Sequence, residues 1–198
     1  MKTHIAIGII LTVVSFVCIF ASLFRKNDSF FNIRRVAKNH FLLFKNCPYQ
    51  YVVFYVFPLA FSVGLSLIYQ AESAFYSEIS VIIGILLSIL LAMLSIISGY
   101  DFSEIQDAKQ KENAGNVLSE TVNAITFACL LCIFLMLFAL VMIVMEGIDF
   151  SWLGFDPAIL KCIASGISYY AFSVILLTLL LIVKHVSNIL GCKRNYKN

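Results

Sequence analysis

The sequence predicts an all-α integral membrane protein, a helical bundle of about five transmembrane helices with a cytoplasmic amphipathic helix. Three observations carry that prediction. Hydrophobic residues make up 61% of the 198 residues and charged residues 13%. A soluble domain has roughly 45–50% apolar and about 25% charged residues, so this chain lacks the polar side chains to cover a water-facing surface. Five apolar runs are long enough, or nearly so, to cross about 30 Å of hydrocarbon, which takes about 20 helical residues. The lysines and arginines gather on one side of those runs. The length leaves room for a single membrane domain over residues 1–198.

The first run, Ile5–Phe24, has an apolar part longer than a signal peptide needs and is followed by Arg25 and Lys26 rather than a small-residue cleavage site. It reads as a retained anchor. The others are Tyr51–Tyr69, Ile79–Gly99, Val122–Met145 and roughly Ser165–Val186, and none of the five contains an internal Asp, Glu or Arg. Lys184 and His185 lie at the end of the last run, where long side chains snorkel to the interface.

Orientation follows from basic residues, which are retained on the cytoplasmic side. The 25–50 connection holds Arg25, Lys26, Arg34, Arg35, Lys38 and Lys45, the 100–121 connection Lys109 and Lys111, and the C-terminal end Lys184, Lys193, Arg194 and Lys197. If all five runs span, these 12 face one side, and only Lys2 and Lys161 face the other. The expectation is a multi-pass membrane protein with the N-terminus outside and the C-terminus cytoplasmic. The 70–78 turn, with Glu72 and Glu78 but no base, suits the outside. Tyr49, Tyr51, Tyr69, Tyr76, Tyr100 and Trp152 at run ends fit interfacial aromatic belts.

The 25–50 connection is the most informative stretch. On a helix, Phe30, Ile33, Val36, Ala37, Phe41 and Phe44 share one sector, and Arg34, Arg35, Lys38 and Lys45 occupy the adjacent one. An aromatic face beside a basic face suits an anionic leaflet and membrane lipids. It suits equally a contact with a cytosolic partner, which Phe31 and Leu42 on the basic side favour. Arg34, Arg35, Lys38, Phe41 and Phe44 are therefore the candidate partner- or lipid-contacting residues. The 100–121 connection is polar and mixed in charge. Ser103 is placed to cap a short helix there, which Gly115 is expected to break or bend, giving a solvated helical hairpin or a partner-binding tip.

In the third run Gly84, Ser88, Ala92, Ser95 and Gly99 follow steps of three and four down one face. Such stripes let helix backbones approach closely, either within one chain or between the copies of a homo-oligomer. In the second run Pro58 removes a backbone donor, and Ser62 and Ser66 lie on a common face where they are expected to help satisfy the bend. The 146–164 segment, with the single Trp, Phe150, Phe155 and Pro157, is expected at the outer interface.

Catalytic signatures are missing from the sequence. Cys18, Cys129 and Cys132 lie inside apolar runs, where Cys acts as a small hydrophobe, and the spacing of Cys47, Cys162 and Cys192 suggests no disulfide framework. Cys129 and Cys132 resemble a redox pair in spacing, but they sit among Ala, Phe and Leu with no nearby base to stabilise a thiolate. His4, His40 and His185 have no metal-ligand spacing with Cys or acids, and no Ser-His-Asp set, HExxH helix or glycine-rich phosphate loop occurs. The expectation is a non-enzyme without metal or cofactor. Intramembrane ionisable residues, which mark ion and proton pathways, are nearly absent, which weakens a pump more than a channel.

The chain length, the FFNIRRVAKNHFLLFK stretch, FPLAFSVGLSLI followed by ISVIIGILLSILLAMLSIISGYDF, and LSETVNAITFACLLCIF together give a layout that resembles the KwaA-like membrane subunits of the bacterial Kiwa anti-phage defence system. The resemblance extends over nearly the full chain. It implies a homo-oligomer (a tetramer) acting as an inner-membrane sensor that holds a KwaB-like cytosolic DNA-binding effector. Direct nucleic-acid contact by this chain is not implied, and no catalytic residue is transferable. Such subunits are described with four spans, which would hold here if Ile5–Phe24 lay in the interface. Three functional classes follow: a sensor or scaffold docking a cytosolic effector, a small ion channel or pore-forming protein, and a transporter accessory or membrane enzyme.

Overall fold

The computed structural model describes residues 48–99, 108–146 and 157–194, and nine helical positions further upstream: 8, 11, 14, 15, 36–38, 40 and 41. Helix accounts for 96% of the described residues and none of them is in a strand, as an all-α membrane protein requires. The chain divides into two compact units, Met1–Leu42 and Leu43–Asn198. In the first unit Leu11 and Val14 are exposed and His40 is buried. Most of the Ile5–Phe24 run lies outside the described residues.

The second unit contains four helices long and apolar enough to cross a membrane: Tyr49–Ile68, Ser73–Ser98, Lys111–Glu146 and Ala158–Asn188. The protein is thus multi-pass. The first is composite: α1 (Pro48–Tyr51), a π-helical turn (Val52–Val56) and α2 (Phe57–Ile68). The π turn lies immediately upstream of Pro58, which has no N–H to give to the ladder. Widening the bonding step there, so that the Phe57 amide donates to the Val52 carbonyl, accommodates the proline without breaking the span. Ser62 and Ser66 do not serve this bend, contrary to expectation. Their hydroxyls donate to the Leu59 and Val63 carbonyls, downstream of the proline.

Tyr69 and Glu72 adopt extended backbone, and the turn between the first two spans is only Tyr69–Glu72, shorter than the apolar pattern implies. Helix α3 covers Ser73–Ser98, α4 Ala108–Glu146 and α5 Pro157–Arg194. Helix α5 opens on proline, whose missing N–H costs nothing in a first turn. Helix α4 runs unbroken through Gly115, so the expected break is absent. Glycine in a helix interior costs about 1 kcal/mol, and here the flanking Ala114 and Thr121 are buried, so packing holds the turn. Residues 108–121 therefore extend the transmembrane helix rather than forming a separate short one. The Ser103 cap lies outside the described residues.

At 1.5 Å per residue α4, with 39 residues, and α5, with 38, are each nearly 60 Å long, about twice the hydrocarbon thickness. Helix α3 packs along α4, α4 along α5, and α5 along α2. Packed neighbours are antiparallel: Tyr76 lies near Glu146, Glu120 near His185, and Tyr55 near Tyr170. Although joined by four residues, α2 and α3 make no extended contact with each other. The pairings thus run α2–α5, α5–α4 and α4–α3, and the core is a stack of fully buried side chains that includes Ile83, Leu90, Ile125, Leu135, Ile175 and Ile182.

Candidate interaction surfaces

Of the basic and aromatic residues singled out upstream, Arg34, Arg35 and Phe44 lie outside the described residues. Lys38 and Phe41 are both helical and exposed. Three residues apart, they share one side of the helix. Val36 and Ala37 are half-buried and His40 is fully buried. Phe41, which the sequence pattern puts on the aromatic sector, is exposed, and the buried position is the neighbouring His40. Burial holds the His40 imidazole well below its usual value, at about 4, so it is neutral at physiological pH.

The small-residue stripe of α3 faces away from the chain's own core. Tyr76, Ile79, Ile83, Leu90 and Ile97 form the buried face of α3. Ser88, Ala92, Ser95 and Gly99 are exposed, and Gly84 is half-buried. A Cβ built on Gly84 would meet nothing within 4 Å, so among the described residues no neighbouring helix approaches it. Close packing within the chain uses another set of small residues, Ala124, Ala128, Cys132 and Ala139 of α4, all fully buried. The sequence contains that set, but Leu and Phe between its members hide it.

A polar joint not anticipated from the sequence lies at the Tyr69–Glu72 turn. The Ala71 amide donates to Ser165 Oγ at 2.8 Å, and Ser165 donates in turn to the Lys161 carbonyl at 2.7 Å. The Tyr169 hydroxyl reaches the Tyr69 carbonyl at 3.4 Å, and the Cys162 thiol the Ser66 carbonyl at 3.5 Å. The Phe75 ring meets Tyr169 edge to face, with ring centroids 5.3 Å apart. Helix α5 therefore supplies partners for the backbone groups of the turn, of which the Ala71 amide is buried.

Elsewhere the buried hydroxyls are satisfied within their own helices: Thr121 bonds to the Val117 carbonyl and Thr178 to the Val174 carbonyl. They interrupt an apolar core without forming a continuous polar line, since Ile175 and Ile182 flank Thr178. Cys129 and Cys132 are free and buried. Among the described residues, no three His, Cys, Asp or Glu side chains gather to hold a metal ion.

No family model matches the chain, and no curated protein or solved structure shows a significant match to it.

Proposed function

We propose that this chain is a non-enzymatic sensor and scaffold of the bacterial inner membrane that oligomerises and docks a cytosolic effector. The observation that carries the reading is the division of α3 into two faces. One face is buried in the chain's own core, and the other, small-residue face is left open. In lipid, where no hydrophobic force drives helices together, close backbone approach is the main source of association. An exposed small-residue face is then suited to a second copy. Lys38 and Phe41, exposed side by side, suit a cytosolic protein or the anionic leaflet beneath it. The resemblance to KwaA-like subunits supplies the context of anti-phage defence and a KwaB-like effector.

The test is copurification from native membranes with Arg34→Glu, Arg35→Glu and Lys38→Glu combined. Each basic residue near an anionic surface contributes about 1 kcal/mol, and reversing three should release the partner while the spans still insert. A variant that is folded and correctly inserted yet keeps its partner would reduce this segment to a connector and turn attention to the α4 and α5 extensions.

A small ion channel is the second reading, favoured by the exposed Ser88 and Ser95 hydroxyls on α3. With the core between the described helices apolar, such a pore would be lined by this face between copies. Ion flux through liposomes containing the purified protein would favour this reading.

A further inference from the structure

The first span changes character at Pro58. From Phe57 to Ile68 it is fixed to α5, which packs along it. Pro58, Ser62 and Ser66 are the buried face of this part. A Cβ built on Gly166 of α5 would stand 3.4 Å from Ser66 Oγ, so the two helices approach closely there. The Cys162 thiol donates to the Ser66 carbonyl and the Tyr169 hydroxyl to the Tyr69 carbonyl, which pins the end nearest the turn.

Upstream of Pro58 the attachment thins. The π turn touches α5 only lightly, and Tyr55 is its one buried side chain. Among the described residues, α1 makes an extended contact only with the π turn that follows it. Tyr49, Tyr51, Val52 and Val56 are exposed. Few buried apolar contacts are the physical mark of a segment that moves at low cost. The helical ladder is also weakest at the boundary between the two parts. Pro58 has no N–H to give, and the Phe57 amide reaches back five residues to the Val52 carbonyl. Of the three prolines, Pro48 and Pro157 open helices and only Pro58 lies inside a span.

We infer that the π turn and Pro58 form a hinge: Phe57–Ile68 stays with the bundle, and Pro48–Val56 swings as an arm. Prolines and π turns are where helices bend sharply. The arm consists of the four residues of α1 and the five of the π turn. It is about 13 Å long, so a bend of about 20° moves Pro48 by about 5 Å. The arm starts inside the 25–50 connection, which carries the candidate contact residues. A pull on that connection therefore turns the arm and leaves the packing of α2, α3, α4 and α5 unchanged. The device is the same whether a protein or a lipid surface takes hold of the connection.

The experiment uses the full chain in lipid nanodiscs, with nitroxides carried on p-acetylphenylalanine so that all six native cysteines stay in place. One label replaces Ile133 on α4, and the other replaces either Tyr49 on the arm or Leu67 on α2, all three exposed. Pulsed dipolar spectroscopy should give a distance distribution from position 49 broader by about 5 Å than the one from position 67. Pro58→Ala, which restores an N–H to the ladder, should narrow the first distribution to the width of the second. Tyr55→Ala, which removes the π turn's one buried side chain, should broaden the first and leave the second unchanged. Equal widths in the unsubstituted chain would overturn the inference. So would a broad first distribution that persists in Pro58→Ala. Should Pro58→Ala fail to fold, Tyr55→Ala decides by the same readout, and an unaltered first distribution there would overturn the hinge.

Discussion

The backbone amide of Ala71 and the hydroxyl of Ser165, 94 residues apart in sequence, are joined by a buried 2.8 Å hydrogen bond. It is the shortest link between the irregular turn and α5, and it explains how a four-residue connection survives between two spans that diverge. Ala71 is 4% exposed, so its N–H has no access to water if the serine is lost.

Ser165→Ala should therefore cost about 1–3 kcal/mol, the penalty of an unsatisfied buried donor. Reversible unfolding in mixed micelles measures it. Ser98→Ala is the control: that hydroxyl is exposed and bonds to the Leu94 carbonyl of its own helix, and its loss should stay within about 0.5 kcal/mol. Equal effects would show that the turn does not depend on Ser165.

Adding bulk should separate the two small-residue faces. Ala128→Leu, at a fully buried position of α4, should destabilise the folded chain by about 1–3 kcal/mol through overpacking. Ser88→Leu with Ala92→Leu, both at exposed positions of α3, should leave that stability unchanged and shift the native mass and cross-linking pattern towards monomer. An unaltered assembly in the second variant would exclude this face as the contact between copies.

The buried His40 gives a pH dependence with a definite sign. Above the ordinary value of 6.5 the imidazole is neutral whether or not the segment is folded, so no stability is at stake. As pH falls below 6.5 the unfolded segment takes up a proton that the folded one refuses until about 4. Across that window the folded arrangement around His40 should lose on the order of 3 kcal/mol. An NMR titration of the His40 ring should place its midpoint near 4, and a midpoint near 6.5 would show that the ring is solvated.

Orientation is open to a direct check at two exposed positions. Glu72→Cys in the short turn should react with impermeant maleimide only from the periplasmic side, and Lys111→Cys on α4 only from the cytoplasmic side. The reverse pattern would invert the proposed topology.

Apolar run length was enough to locate the four described spans, because in hydrocarbon a helix is the one way an isolated segment satisfies its own backbone. Their ends were less legible. Ser73–Glu78 looks like loop because of its acids and Tyr, yet one helical turn at an interface tolerates all of these. Gly115 looks like a break because local propensity is visible in sequence while the burial of Ala114 and Thr121 is not. The small residues of α3 announced a close-packing face but not its partner, since pairing is decided by which helix reaches the face. The joint at Ser165 and Tyr169 had no signal: serines that bond back to their own helix scatter through the spans, and only proximity to the turn distinguishes Ser165.

The pairing of α2 with α5 also sets a timetable for synthesis. Ser66 of α2 meets Cys162 of α5, which leaves the ribosome 96 residues later. At roughly 5–20 residues per second, α2 waits about 5–20 s for its partner. During that interval Ser62 and Ser66 stand in lipid rather than against α5. Because their hydroxyls donate to Leu59 and Val63, the newly inserted helix carries its own polar compensation and can wait in the bilayer without a chaperone to shield those two groups.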